Sequence, residues 1–108
     1  MANDFDILQR LFDVAEQRKT SDPAESYVAK LHHKGVGKIA QKVGEEGLET
    51  ALAAVSQGRA DTILESADLL FHLTILWSHL GIQPDEVMEV LRAREGTSGL
   101  AEKASRQP

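Results

Sequence analysis

At 108 residues the chain has room for one domain, spanning 1–108, with a modest core. The absence of cysteine excludes disulfides and thiolate metal sites and fits a cytoplasmic protein. A formal net charge of −5 argues against general nucleic-acid binding, no apolar run is long enough to span a membrane, and the opening segment MANDFDILQR lacks a signal-peptide pattern.

Strand signals are weak: aromatic residues are few, and no sustained period-2 alternation is flanked by hairpin turns. Helical signals run throughout and predict an all-α fold of four to five helices. Phe5, Leu8, Leu11, Phe12 and Ala15 give a first amphipathic helix over about residues 4–19. Asp22-Pro23-Ala24-Glu25 is a helix start signal, and Ser26 is a competing cap for a short helix to about His33. Gly35-Val36-Gly37 breaks it. A long helix follows from about Lys38 to Val55, and another from about Ala60 to Leu80. Gly81 ends that helix, and Pro84-Asp85-Glu86 starts a last one to about Arg94. The core spans about residues 4–94, and the tail over 95–108 is polar and expected to be loose in a free monomer.

The two long helices differ. On the first, Ile39, Val43, Gly47, Leu48, Ala51, Leu52 and Val55 cover a broad apolar arc, and Lys38, Lys42, Glu45, Glu46 and Glu49 occupy the rest. The second is apolar almost all round, from Ile63 and Leu64 to Trp77 and Leu80. Such a helix is buried on several sides, and so short a chain has too few other helices to wrap it. A homo-oligomer follows, most simply a symmetric dimer built on a helix bundle.

Two acidic motifs stand on these helices, Glu46-x-x-Glu49 and Glu65-x-x-Asp68. The i,i+3 spacing puts both carboxylates of each motif on one side of its helix. Between them Ser56-Gln57-Gly58-Arg59 is the best turn signal of the central region, and both cross-pairs are centred on residue 57. A reversal there sets Glu49 level with Glu65 and Glu46 level with Asp68. Four converging acids repel one another unless a cation sits among them, and hard oxygen ligands suit Mg²⁺ or Mn²⁺. Glu65, Asp68 and His72 form one narrow polar strip on an otherwise greasy rod. Set against this, an isolated helical E-x-x-E is more often a solvated surface.

From Ser26 to Gly44 the chain holds Lys30, Lys34, Lys38 and Lys42, two histidines and no acid. A basic segment beside an acidic one suits a small anionic ligand held with a metal. Each lysine taken singly also fits a solvated face, and Lys42 with Glu46 fits an exposed i,i+4 ion pair. His32 and His33 do not share a helix face and read as ordinary polar residues. Gly35-Val36-Gly37-Lys38 is not a Walker A loop, because Ile39 stands where Ser or Thr is required. Phe71 and Trp77 read as core.

Ser26-Tyr27-Val28-Ala29-Lys30-Leu31, Lys34-Gly35, KIAQKVGEEGLET (38–50) and ESADLLFHL (65–73) closely resemble the phosphoribosyl-ATP pyrophosphatase family of histidine biosynthesis. The match runs from about Ser26 to Arg94, and the tail TSGLAEKASR (97–106) is also similar to that family's ending. The acid motifs alone indicate only the wider group of all-α nucleoside triphosphate pyrophosphohydrolases, MazG-type and dimeric dUTPase-type enzymes included. The resemblance implies hydrolysis of phosphoribosyl-ATP to phosphoribosyl-AMP and pyrophosphate by in-line attack at the α–β bridge. Glu46, Glu49, Glu65 and Asp68 would hold Mg²⁺ against triphosphate oxygens. Glu49, or as second choice Glu45, would orient or deprotonate the attacking water. Lys30, Lys38 and Lys42, with Lys34 beside them, would bind phosphates. Two rival readings share parts of this pattern: a house-cleaning pyrophosphatase acting on free nucleotides, and a non-catalytic helical dimerisation module.

Overall fold

Two residues, Gln57 and Gly58, connect the two longest helices and set the architecture. The computed structural model describes residues 6–106, and these form helices α1 (Ile7–Gln17), α2 (Tyr27–Lys34), α3 (Val36–Ser56), α4 (Arg59–Leu80), α5 (Pro84–Ala93) and α6 (Gly99–Ser105). No strand occurs among the described residues, as the sequence predicts. The N–H groups of Gln57 and Gly58 both return to the Ala53 carbonyl, at 3.0 and 2.9 Å, and Gly58 takes φ 119°, which favours glycine. The chain therefore doubles back at once, and α3 packs along α4 as a helical hairpin, the most extensive packing in the chain.

The other elements lean on this hairpin. α1 packs on α4, while α2 bridges α3, α4 and a 3₁₀ turn at Arg18–Thr20. Leu31 of α2, Ile39 of α3 and Ile75 of α4 are buried together, with Val28, Phe71 and Leu76 packed round them. Each such aliphatic side chain contributes about 1.5–3 kcal/mol by leaving water. Phe12 and Ala15 are the buried residues of α1.

Local chemistry explains where the boundaries differ from expectation. The first helix is shorter than residues 4–19: it runs Ile7–Gln17 and tightens into the 3₁₀ turn, while Asp4 and Phe5 lie outside the described residues. At the rival start signals Ser26 wins. It is extended (φ −130°, ψ 122°), and its Oγ accepts from the Ala29 N–H at 3.1 Å. Asp22 instead closes a local turn, its carboxylate accepting from Ala24 N–H and its carbonyl from Glu25 and Ser26. Gly35, at φ 96°, is both the end of α2 and the residue before α3. One residue is enough to break the chain, so α3 starts two residues before Lys38 and takes Gly37 into its first turn. Pro84 opens α5, where the Glu86 carboxylate accepts from the Gln83 N–H at 2.8 Å. The tail is not wholly loose, since Gly99–Ser105 makes a short helix.

Within the single chain α4 is wrapped only in part, as expected of a chain with too few other helices to cover it. Ile75, His72, Thr74 and Ser78 are buried, but Ile63, Leu64, Leu70 and Leu80 are exposed. Leu48, Leu52 and Val55 of α3 are exposed as well, Val55 to 81%. The radius of gyration is 15.9 Å, against about 13 Å for a compact domain of this length.

Replacing the cap of α2 tests this account of its start. Ser26→Ala should cost about 1 kcal/mol in urea denaturation with the m-value unchanged.

Candidate metal centre

The hairpin register brings the two acid motifs face to face. One carboxylate oxygen from each of Glu46, Glu49 and Glu65 lies within 4.8 Å of the others. Glu46 is 7% exposed, Glu65 half-buried and Glu49 exposed, so the cluster opens to solvent on the Glu49 side. Oε2 of Glu46 and Oε2 of Glu65 are buried without a hydrogen-bond partner. An orphaned buried carboxylate oxygen costs free energy unless a cation or proton meets it.

The electrostatics say the same. The Glu65 carboxyl is pushed up to about 7, first by its hydrogen bond with Glu49, then by burial, then by the charges of Glu49, Glu46 and Asp68. Glu65 thus holds a proton where an ordinary carboxylate has lost one. Among the described residues the only cation in ion-pair contact with Glu46 is Lys42, at 3.9 Å, and Lys42 is shared with Glu45 at 4.0 Å. These are long contacts and weak compensation. The donor set is three carboxylates, all hard oxygens, with two unused buried lone-pair positions. It fits Mg²⁺ or Mn²⁺ and offers nothing to a thiophilic metal.

The remaining residues singled out in the sequence take different places. Asp68 is exposed and lies outside the tight group of three, although its charge reaches both Glu65 and Tyr27. Glu45 is half-buried beside Lys42. Lys38 and Lys42 stand on α3 in the i,i+4 row that continues to Glu46, and both are half-buried. Lys30 and Lys34 are exposed on α2.

Two polar assemblies were not foreseen from sequence. The Tyr27 hydroxyl lies 2.8 Å from His72 Nε2, and His72 Nδ1 lies 2.8 Å from the Asp68 carbonyl. Burial pushes the Tyr27 hydroxyl up, and Lys42, Glu46, Glu45 and Asp68 all act on it, so it stands at the rim of the acid cluster. The polar strip that includes His72 was visible in the sequence, but its partner from α2 was not. Farther off, His32 Nδ1 meets His79 Nδ1 at 3.1 Å and His32 Nε2 meets the Ala15 carbonyl at 3.1 Å, while Ser78 donates to Glu16. His32 is therefore a structural tie between α1, α2 and α4. Desolvation holds its imidazole below the ordinary histidine value.

A hairpin of helices that aims acidic motifs at one another gives this all-α chain a cluster of carboxylates with the chemistry to hold a divalent cation. Comparison with known proteins is more specific. Residues 8–95 match the family model described as phosphoribosyl-ATP pyrophosphohydrolase, and the chain belongs to that family. It is 52% identical over 101 residues to a phosphoribosyl-ATP pyrophosphatase of Azospirillum brasilense, covering 94% of this chain and 91% of the relative. A protein of the same name from Paramagnetospirillum magneticum is 51% identical over 98% of this chain and 97% of its own length. One from Novosphingobium aromaticivorans is 54% identical, covering 94% of each chain.

The raised Glu65 carboxyl gives a signed pH dependence. A carboxyl raised from 4.5 to about 7 in the folded state stabilises the metal-free fold fully below pH 4.5, and that contribution is lost as pH rises through 7. In chelator, denaturation of the wild type should show stability falling between those limits. Glu65→Gln should flatten that fall, and an unchanged slope in the variant would remove the assignment.

Proposed function

We propose that this chain hydrolyses phosphoribosyl-ATP to phosphoribosyl-AMP and pyrophosphate with Mg²⁺, an early step of histidine biosynthesis. The convergence of Glu46, Glu49 and Glu65, with two buried oxygens lacking partners, carries this reading at the level of chemistry. The relatives' names supply the substrate.

Glu46, Glu49 and Glu65 would hold the ion, with Asp68 as the fourth carboxylate at the edge of the group. Bound Mg²⁺ supplies neutralisation of the triphosphate's negative charge. The protein's own groups do the rest. Glu49, the exposed member of the cluster, is placed to orient the attacking water and take its proton, with Glu45 as the alternative base. Attack by that water at the α–β bridge breaks the anhydride and releases pyrophosphate. Lys38 and Lys42 precede the acids on the same row of α3 and bind phosphate oxygens as point charges. Lys30 and Lys34 extend the positive surface onto α2, suiting a substrate that carries a further ribose phosphate.

The same reading includes a homodimer. The exposed Leu48, Leu52, Val55, Ile63, Leu64 and Leu70 all lie on the hairpin. An apolar groove of about 610 Å³ runs there between Ala54, Ile63, Ala67 and Leu70. Exposed apolar surface on this scale is covered in a stable soluble protein, and a second hairpin is the simplest cover.

Pyrophosphate release from phosphoribosyl-ATP, compared with ATP and dUTP, tests the activity. Glu46→Gln, Glu49→Gln, Glu65→Gln and Asp68→Asn should each remove most turnover while circular dichroism stays unchanged. Near wild-type activity in two or more of them at limiting Mg²⁺ would dismiss this ligand set. For the assembly, light scattering at micromolar concentration should give twice the chain mass, and a well-folded monomer would count against the dimer.

A further inference from the structure

Of the two side-chain hydrogen bonds between α2 and α4 among the described residues, the one from Tyr27 to His72 lies beside the acid cluster but is not part of it. His72 is 5% exposed and uses both ring nitrogens. Nδ1 faces a backbone carbonyl, which can only accept, so Nδ1 carries the hydrogen. In the neutral ring Nε2 is then a lone pair, and the Tyr27 hydroxyl donates to it. The tautomer and the direction of the hydroxyl are both fixed.

The rings hold this arrangement tightly. Phe71 meets His72 edge-on at 5.3 Å and stacks with Tyr27 at 6.4 Å, while Tyr27 and His72 are themselves edge-to-face at 5.8 Å. Tyr27 is the first residue of α2, directly after its cap. It shares one face of that helix with Lys30 and Lys34, at i+3 and i+7. His72 is one turn after Asp68 and two turns after Glu65 on α4. This bond therefore joins the start of the lysine-bearing helix α2 to the helix that carries Glu65 and Asp68, which the His32–His79 bond also ties to α2 farther from the acids.

Resting on the activity proposed above, we infer that Tyr27 and His72 are positioning residues that set the register of α2 against the acid cluster, and so the fit of the substrate's phosphates, without taking part in the hydrolytic step. A buried histidine serving only the core would not need its outer nitrogen matched to the hydroxyl of a residue that is 47% exposed at the rim of the site. Loss of the bond leaves Glu46, Glu49 and Glu65 on their own hairpin, whose register depends on Gln57 and Gly58. Substrate binding should suffer and the chemical step should not.

The test is steady-state pyrophosphate release from phosphoribosyl-ATP in Mg²⁺ by wild type, Tyr27→Phe, His72→Asn and His72→Gln. Tyr27→Phe should raise KM about 3- to 10-fold, the scale of one hydrogen bond, with kcat within about twofold of wild type. His72→Asn keeps a donor at the Nδ1 position but loses the reach to Tyr27, and should behave like Tyr27→Phe. His72→Gln places an acceptor near the Nε2 position and should restore KM. The double variant Tyr27→Phe/His72→Asn should be no worse than either single one. Stabilisation by Mg²⁺ alone should be the same in all. A folded Tyr27→Phe protein with wild-type KM, or one that loses kcat instead, would overturn the inference. So would a His72→Gln protein as impaired as His72→Asn, and that comparison decides the matter if Tyr27→Phe does not fold. Wild type inactive on phosphoribosyl-ATP would remove the proposed activity and this inference together, whereas active wild type with indifferent variants would remove the inference alone.

Discussion

Mutual repulsion among three carboxylates is the constraint round which this molecule is built. Glu46, Glu49 and Glu65 are brought within 4.8 Å of one another by a two-residue turn between the two longest helices. Among the described residues the packing relieves little of the cost. Lys42 is distant and shared, and two carboxylate oxygens are buried without a partner. The metal-free protein relieves it by holding a proton on Glu65. The sharp turn at Gly58 and the burial of Glu46 become intelligible if the arrangement exists for a divalent cation.

Stability and function are divided along the chain accordingly. α1 and α2 supply much of the buried apolar contact that holds α4, through Phe12, Ala15, Ala29 and Leu31. They also tie it with polar bonds, His32 to His79 and Tyr27 to His72. The hairpin keeps one side for acids and lysines and leaves another apolar and open. On that open side Leu48, Leu52, Val55, Ile63, Leu64 and Leu70 are exposed.

The elements legible in the sequence were those fixed by local chemistry. The turn at Gln57–Gly58, the glycine stop at 81 and the proline start of α5 all act within a few residues and appear where the pattern put them, while the break expected over Gly35–Gly37 is made by Gly35 alone. The acid convergence was legible because a short turn between two regular helices makes register a matter of counting. Asp68 is the member of the two motifs that stands apart from the group of three. Helix period places it level with Glu46, and it is exposed. The Tyr27–His72 and His32–His79 bonds span 45 and 47 residues and depend on how separate helices dock. No local spacing encodes that. The choice between Asp22 and Ser26 as the start of α2 likewise turned on which side chain found a helical N–H and which closed a turn.

The resemblance noted in the S-Y-V-A-K-L and KIAQKVGEE blocks proved sound, since the family match covers residues 8–95. Its weight rests on α2 and the start of α3, where the lysines lie. The acid motifs alone would serve any enzyme that cleaves a nucleotide anhydride.

Calorimetric titration of the protein with Mg²⁺, without nucleotide and in buffers of different ionisation enthalpy, tests the central claim most directly. If the three carboxylates form a cation site whose repulsion is relieved by a proton on Glu65, binding will be saturable. It will release close to one proton near pH 6, and the release will vanish by about pH 8.5. Absence of saturable binding, or binding with no proton released at the lower pH, would contradict it.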